Sequence, residues 1–360
     1  MIIKKISIPI VLSIIIIACS TNNTDESIEI SKEDFPPIEQ LEFEEVVIPP
    51  VLLDVSNLCI VDSFLVIAQK RKDTIFYIFN LPDCRLLKSF GRVGKGPNEF
   101  GLHFTNSTLN PVFDQTPHFG TGNRMNNIQY YDIYKILNNS IEPDTIVKLP
   151  PEFNGFQTII YIKDSVIIGA PYRGAMHLFK YKVSERSYIK YKEFAIDYPN
   201  LDDETRRTIF MSYMSLRPDN KFFVIAYGSC GQIDIYNLAS DNIIKISYSD
   251  FPSLYENINI DKDVEDFRFN KNQKIFCWEI VATNNHIYAK VLNTTYTNLV
   301  DGMSFSRDFI PEIHVFDWEG NLVRIIKPDK YYYKFYVAPN DEYLYAIDSN
   351  IEDIIYRIKL

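Results

Sequence analysis

Past residue 45 the sequence is a succession of short apolar runs separated by turn residues, with almost no helical periodicity. One strand-length pattern recurs, in which an aliphatic start is followed by aromatic residues and usually closed by Asn or Asp. Its copies end at Asn80, Asp132, Lys182, Asn237, Asp317 and Ile358. Most copies are therefore about 50 residues apart, a spacing typical of the four-stranded blades of a β-propeller.

Further strands flank each copy of the pattern. A second apolar run precedes it, as at Phe64–Ile67 and Phe222–Ile225, and a polar turn with an outer strand follows it, most clearly at Trp318–Ile326. Asn and Gly in such turns supply the positive φ that a tight hairpin needs. The pattern predicts an all-β fold, a six-bladed β-propeller of four-stranded blades. Five or seven blades are the alternatives, because the chain is poorly marked between Asn110 and Arg124.

Two irregularities in the repeat carry predictions. The longest interval has room for an insertion, and the polar stretch Asn293–Pro311 is expected to rise from one face of the disc. The last repeated strand ends at Ile358, two residues before the end of the sequence, which leaves its outer edge unpaired. An open edge is a liability. The segment Leu41–Ile48 is therefore predicted to supply the missing strand and to close the ring.

The first nineteen residues have the layout of a lipoprotein leader. Lys4 and Lys5 precede an apolar run, Ile6–Ala18, that is too short to span a bilayer comfortably. The run ends in Ile16–Cys19, which resembles the bacterial lipobox, with Cys19 as the lipid attachment site. An ordinary signal peptide or an N-terminal anchor is the alternative.

The domain prediction is a signal peptide over 1–18, a flexible acidic tether over 19–40 and the propeller over 41–360. Nine acids accompany one lysine, Lys32, between Ser20 and Glu45, a composition that cannot bury enough apolar surface to order itself. The chain is thus expected at the cell envelope, joined to a membrane by its N-terminal lipid. The outer membrane is favoured, and surface exposure is an open alternative.

Charge and cysteine content narrow the classes of partner. The formal net charge is −10 before loss of the two leader lysines, which argues against nucleic acid as a partner. Four cysteines follow Cys19, and no spacing among them suggests zinc. Cys59 and Cys84 could form a disulfide within one sheet, or all four thiols could be buried.

A family resemblance is carried by the run Ser89–Phe100, SFGRVGKGPNEF. It resembles the blade-to-blade connection of the TolB-like six-bladed propeller lipoproteins of Bacteroidetes, which are also similar to NHL-repeat propellers. The resemblance covers residues 41–360 together with the lipobox. It implies a six-bladed fold and an exported lipoprotein, and it implies no settled activity. A phosphate loop is excluded, because Gly96-Pro97 follows Lys95 where a helix would have to begin.

Candidate sites are few. A cluster of acids could hold calcium through hard oxygen ligands, although a solvated loop is the alternative; its members are Asp261, Asp263, Glu265 and Asp266. His103 and His118 flank a Gly- and Asn-rich stretch and could line one face together. Tyr331–Tyr333, and Tyr296 with Phe305, could stack on sugars or pack between blades.

The functional hypothesis is a non-enzymatic binding or scaffold module whose disc face engages a protein, a peptide or a glycan. The alternative is a metal-dependent hydrolase or lyase with its site at the central channel. Convergent carboxylate, Asn or His side chains at the channel mouth would favour the enzyme, and an open aromatic face would favour binding. Fold alone does not choose between them.

Overall fold

The structure of the chain is a computed structural model. It describes residues 25–70, 73–94, 99–100, 109–113, 115–123, 127–150, 156–162, 166–171, 177–193, 212–240, 242–252, 257, 272–301 and 304–360. Within these ranges no helix is long and apolar enough to cross a membrane.

The described chain begins with a segment of three short strands that precede the blades. They are β1 (Glu26–Ile30), β2 (Ile38–Leu41) and β3 (Glu44–Val47), with a 3₁₀ turn at Lys32–Asp34 between the first two.

The first three blades follow in chain order. Blade one comprises β4 (Val55–Val61), β5 (Phe64–Gln69), β6 (Phe76–Asn80) and β7 (Arg85–Phe90). Blade two comprises β8 (Asn110–Val112), β9 (His118–Asn123), β10 (Asn127–Asp132) and β11 (Thr145–Lys148), with helix α1 (Ile133–Leu137) after β10. Blade three comprises β12 (Phe156–Ile162), β13 (Val166–Pro171), β14 (His177–Lys182) and β15 (Ser187–Glu193).

The other three blades complete the disc. Blade four comprises β16 (Ser212–Leu216), β17 (Phe222–Tyr227), β18 (Gln232–Asn237) and β19 (Ile243–Tyr248). Blade five comprises β20 (Lys274–Ala282), β21 (Ile287–Thr295), β24 (Glu312–Phe316) and β25 (Leu322–Pro328), and it is interrupted by helix α2 (Tyr296–Leu299), β22 (Val300–Asp301) and β23 (Ser304–Phe305). Blade six comprises β26 (Lys334–Val337), β27 (Tyr343–Ile347) and β28 (Ile354–Lys359).

The six sheets form a closed ring, which confirms the predicted fold class. The innermost strands β4, β8, β12, β16, β20 and β26 each contact the next, and β26 contacts β4. We call the face at which these strands begin the upper face and the opposite one the lower face. The third strands β6, β10, β14, β18, β24 and β28 are the repeated pattern of the sequence. The predicted insertion lies between β21 and β24, at the upper face.

The core consists of apolar layers between neighbouring blades. Phe76 of blade one stacks on Phe90, with ring centroids 5.0 Å apart, and also contacts Phe119 of blade two at 5.6 Å. Phe119 in turn stacks on Tyr131. All four side chains are buried. Burial of this aromatic surface is the main favourable contribution to the blade interface.

The segment before blade one runs along the rims of three consecutive blades. β1 lies parallel to β19 and adds a fifth strand to blade four, and β2 lies parallel to β25 and adds a fifth strand to blade five. β3 pairs antiparallel with β28 and is the fourth strand of blade six. Residues 44–47 therefore lie where the sequence places the closing strand.

The structure differs from the predicted flexible tether over residues 25–40. The segment is ordered by the blades it contacts and not by a core of its own. Its acids pair with basic residues: the two oxygens of Glu39 accept from Nε and Nη2 of Arg324 at 2.9 and 2.7 Å, and Glu44 pairs with Arg357 in the same bidentate manner. Such forked pairs are directional as well as strong. Composition alone misses them, because the partners lie far away in sequence.

The glycine-rich run Ser89–Phe100 leads out of blade one. Gly91 has φ +79°, and a Cβ there would lie 3.0 Å from the ring of Phe100, so a residue with a side chain would be both strained and crowded. Arg92 and Glu99 form an ion pair at 2.6 Å, and the backbone N–H of Phe100 donates to the Arg92 carbonyl. These contacts hold residues 91–94 and 99–100 against each other just after the outer strand of the blade.

The four described cysteines, Cys59, Cys84, Cys230 and Cys277, are all buried free thiols. The possible Cys59–Cys84 disulfide is not formed. Burial raises the pKa of the Cys84 thiol to about 12, so the reactive thiolate is suppressed.

Replacing Phe43 with Ala tests the closure. Phe43 is 6% exposed and stacks on Tyr356 at 4.9 Å, so we expect a loss of about 3 kcal/mol in the free energy of unfolding, measured in urea. Val47 is 72% exposed on the adjoining strand, and Val47→Ala should cost about 0.5 kcal/mol or less. Equal losses in the two variants would contradict the packing of this strand into the ring.

Candidate functional site

The innermost strands of the six blades enclose a central cavity of about 260 Å³. Blade one contributes Asn57, blade two Asn110 and blade three Tyr161, while blades four to six contribute most of the other polar and aromatic side chains. The latter are Tyr213, Ser215, Trp278, Glu279, Tyr333, Lys334 and Tyr336. The channel therefore combines aromatic surface with hydrogen-bonding groups, as ligand pockets commonly do.

A charged pair crosses from blade five to blade six inside the channel. Nζ of Lys334 lies 3.1 Å from Oε1 of Glu279, and the two side chains are only 19% and 12% exposed. The other carboxylate oxygen of Glu279 accepts from the backbone N–H of Phe335. Burial alone would lower the pKa of Lys334, but the Glu279 carboxylate raises it above its ordinary value, so the ammonium group stays charged.

Trp278 reaches the channel because strand β20 is irregular beside it. Cys277 pairs with Val291 and Glu279 with Lys290, so Trp278 is an extra residue on its strand, and the register also shifts before Cys277. A β-bulge of this kind re-aims side chains and is common beside binding sites. Trp278 and the adjacent Glu279 both line the channel.

A buried lysine holds the upper rim of the channel in place. Lys290 is 5% exposed, and its Nζ donates to the carbonyls of Tyr332 and Tyr333 at 3.2 and 2.6 Å. Burial lowers the pKa of Lys290 to about 8, although the charge of Glu279 opposes that shift. Two carbonyl acceptors and the Tyr332 ring, 4.7 Å from Nζ, replace the lost water. The Tyr331–Tyr333 segment is thereby fixed above the channel.

The tyrosine hydroxyls of the channel are neutral hydrogen-bonding groups. Burial raises the pKa of both Tyr213 and Tyr336 well above the ordinary value. Trp278, Lys290, Tyr331, Tyr333 and Lys334 also surround a smaller cavity of about 70 Å³ at the upper mouth. This mouth, formed by Trp278, Tyr331, Tyr333 and Lys334, is called the aromatic mouth below.

A second cavity of about 200 Å³ lies between blades four and five, beside the 3₁₀ turn of the N-terminal segment. His314 lines it and is 2% exposed, and its Nδ1 lies 2.7 Å from the Tyr248 hydroxyl. Its Nε2 lies 3.5 Å from Glu312. The ring of Phe35 packs edge-on against His314, so the N-terminal segment helps to form the wall.

The structure separates the other candidates that the sequence singled out. His118 lies on blade two beside two aspartates. Of the three tyrosines Tyr331–Tyr333, Tyr332 is fully buried, which agrees with packing between blades, and its two neighbours are partly exposed at the channel. The backbones of Tyr296 and Phe305 lie in the insertion, in α2 and β23.

Several predicted residues lie outside the described part of the chain. They are the lipid attachment site Cys19, His103 and the calcium candidates Asp261, Asp263, Glu265 and Asp266. The sequence analysis did not single out Trp278 or the Glu279–Lys334 pair as functional candidates. The available signal was the interruption of an apolar run by Trp-Glu in KIFCWEIVA, residues 274–282.

Comparison with known proteins agrees with this architecture. The sequence profile of the family described as TolB-like 6-blade propeller-like matches residues 57–340. The chain belongs to this family. The match begins within β4 and ends after β26, so it takes in the channel and the aromatic mouth.

Solved structures show the same fold in other proteins. A protein of Bacteroides fragilis NCTC 9343 whose export is inferred has a TM-score of 0.55 and 12% identity, with 93% of this chain and 99% of that one covered. A DUF4221 family member from Bacteroides vulgatus ATCC 8482 has a TM-score of 0.51 and 11% identity over 89% and 98%. At such identities the likeness shows the fold alone. No curated protein matches this TolB-like chain in sequence.

A double-mutant cycle measures the charged pair of the channel. Glu279→Gln and Lys334→Met should each lower the free energy of unfolding, measured in urea. The loss in the double variant should be smaller than the sum of the two single losses by about 1–3 kcal/mol, a coupling energy between the values for surface and buried pairs. The matched control is the pair Lys182–Glu185, whose side chains are 50% and 56% exposed. Its coupling should be about 0.5 kcal/mol or less. A channel coupling as small as this control would show that the pair is solvated and does not organise the site.

Proposed function

We propose that the chain is an exported, lipid-anchored binding module that captures a glycan at the aromatic mouth of its central channel. The observation that carries the proposal is the placement of Trp278, Tyr331 and Tyr333 around the Glu279–Lys334 pair. Aromatic faces stack on the C–H surfaces of sugar rings, and fixed charged groups accept and donate hydrogen bonds to their hydroxyls.

The charge distribution favours binding over hydrolysis. Among the described residues that line the channel, Glu279 is the one carboxylate, and it is held by Lys334 and by the Phe335 N–H. Hydrolysis of a glycosidic bond generally employs two carboxyl groups that flank the bond. The rigid ring also favours binding, because a preformed site loses little conformational entropy when a ligand arrives.

Export and anchoring rest on separate support. The lipobox-like Ile16–Cys19 supports lipidation, and the inferred export of the Bacteroides fragilis neighbour supports secretion to the envelope. Lipidation by more than one acyl chain is sufficient for stable attachment to a membrane. A tethered receptor needs no further membrane contact in order to present its channel to a ligand.

Binding can be tested with the exported chain and oligosaccharides of glucose, xylose and mannose. The protein has two tryptophans, so in a Trp318→Phe background the fluorescence reports on Trp278 alone. One sugar series should change this fluorescence saturably. In calorimetry, Trp278→Ala and Tyr333→Ala should weaken that binding about tenfold or more, which corresponds to ~1.4 kcal/mol.

Tyr188→Ala is the matched control, since this tyrosine is 40% exposed on the outer strand of blade three, and its binding should be unchanged. Saturable binding of peptides in place of sugars, or equal loss in the control variant, would overturn the glycan proposal.

Lipidation can be tested independently of the ligand. In a bacterial host that modifies lipoproteins, the chain should incorporate an alkyne-labelled fatty acid and sediment with membranes. Cys19→Ser removes the thiol that accepts the lipid and should abolish the label, whereas the neighbouring Ser20→Ala should retain it. Label on the Cys19→Ser protein would contradict the assignment.

A further inference from the structure

Blade two brings one histidine and two aspartates together at the lower face, away from the aromatic mouth. His118 begins β9 and is the direct partner of Asp132, which ends β10. Asp144 stands just before β11, and its backbone N–H donates to the Tyr130 carbonyl at 2.8 Å. The three side chains come from three consecutive strands, and the side chains of His118, Asp132 and Asp144 are 19%, 12% and 20% exposed.

The distances between the donor atoms suit a common cation. Nε2 of His118 lies 3.2 Å from Oδ2 of Asp144 and 3.9 Å from Oδ2 of Asp132, and all three atoms lie within 4.8 Å of one another. Ligands about 2.0–2.1 Å from a tetrahedral metal are separated by roughly 3.3–3.4 Å, so the His118–Asp144 spacing already suits a metal and the His118–Asp132 spacing must shorten by about 0.5 Å on binding.

Each ligand is oriented by a contact that occupies its other polar atom. Oδ1 of Asp132 accepts from the backbone N–H groups of Tyr134 and Lys135 at the start of α1. Oδ1 of Asp144 accepts from Nζ of Lys135 at 2.7 Å. Nδ1 of His118 lies 2.9 Å from the carbonyl oxygen of Thr116. This is the outer-shell arrangement that orients the ligands of protein metal sites.

The contact with Thr116 also determines the proton on the histidine ring. Nδ1 also lies 3.1 Å from the Thr116 hydroxyl, but the carbonyl oxygen can only accept, which favours hydrogen on Nδ1. A neutral ring of this tautomer directs the lone pair of Nε2 toward two carboxylate oxygens. Three lone-pair donors facing one another are stable only around a proton or a cation.

We propose that His118, Asp132 and Asp144 bind one divalent transition-metal ion of the zinc class, through Nε2 and one oxygen of each carboxylate. An imidazole ligand suits Zn²⁺, Co²⁺ or Ni²⁺ and is poorly suited to Ca²⁺ or Mg²⁺. Three protein ligands leave a fourth position for water or for an oxygen of a bound molecule. The site is independent of glycan binding at the upper mouth.

The test uses the full exported chain, zinc and cobalt. After gel filtration from excess Zn²⁺, elemental analysis should find a stoichiometric ion that Ca²⁺ does not displace. Co²⁺ should give the visible absorption of a tetrahedral complex, a readout of coordination that needs no variant. His118→Gln and Asp144→Asn should weaken zinc binding about a hundredfold. Asp132 is left intact because it caps α1.

His286→Gln is the matched control, because His286 also faces an aspartate, Asp341, at the lower face, but among the described residues no second carboxylate completes a site there. This variant should bind zinc as the unchanged protein does. Absence of bound zinc and of a tetrahedral cobalt spectrum in the unchanged protein would overturn the proposal. Equal zinc binding in His118→Gln would overturn it as well.

Discussion

A propeller ring holds only if its last sheet is joined to its first, and here the joint is the pairing of β3 with β28. The guanidinium of Arg357 makes three hydrogen bonds at this joint. Nε and Nη2 donate to the carboxylate of Glu44 on β3, and Nη1 donates to the Pro82 carbonyl of blade one at 2.7 Å. One side chain thus connects the outer strand of blade six, its third strand and the neighbouring blade. The channel lies inside the closed ring, whose blades six and one also meet through their innermost strands.

The same closure positions the functional groups. Glu279 and Lys334 belong to different blades, so their separation is set by how blades five and six pack. Tyr332 and Phe335 are fully buried beside Phe43, the residue that precedes the closing strand. The N-terminal segment and the channel wall consequently share one apolar layer, and the geometry of the Glu279–Lys334 pair is coupled to the closure through it.

Local patterns in the sequence revealed most of the fold. The repeated third strands could be predicted because each combines a buried aliphatic start with aromatic residues, and closure could be predicted because an unpaired edge at Ile358 requires a partner. The ordered structure of residues 25–41 could not be predicted, because the contacts that stabilise it are made with residues far away in sequence, such as Arg324, which is 285 positions from its partner Glu39. Helix α1 was also missed, because five residues are too few to show a period.

The candidate site was predictable only in part, for the same reason. The Tyr331–Tyr333 run is visible as composition, but the bulge that aims Trp278 depends on the register between β20 and β21, which no local pattern reveals. Two groups of residues are close together only because of blade packing and strand pairing. They are Glu279 with Lys334, and His118 with Asp132 and Asp144. Histidines considered one at a time could not disclose the aspartates that accompany them.

The course of the N-terminal segment has a bearing on orientation. β1 starts beside Ile244 and ends beside Tyr248, so the chain enters the disc near the lower face, at the rim of blade four. With Cys19 as the anchor, only residues 19–24 precede this point, and fully extended they span at most about 20 Å. With a lipid on Cys19, as proposed, so short a connection would hold this rim of blade four close to the bilayer. The aromatic mouth would then lie at the face of the disc opposite to the one near which the chain enters.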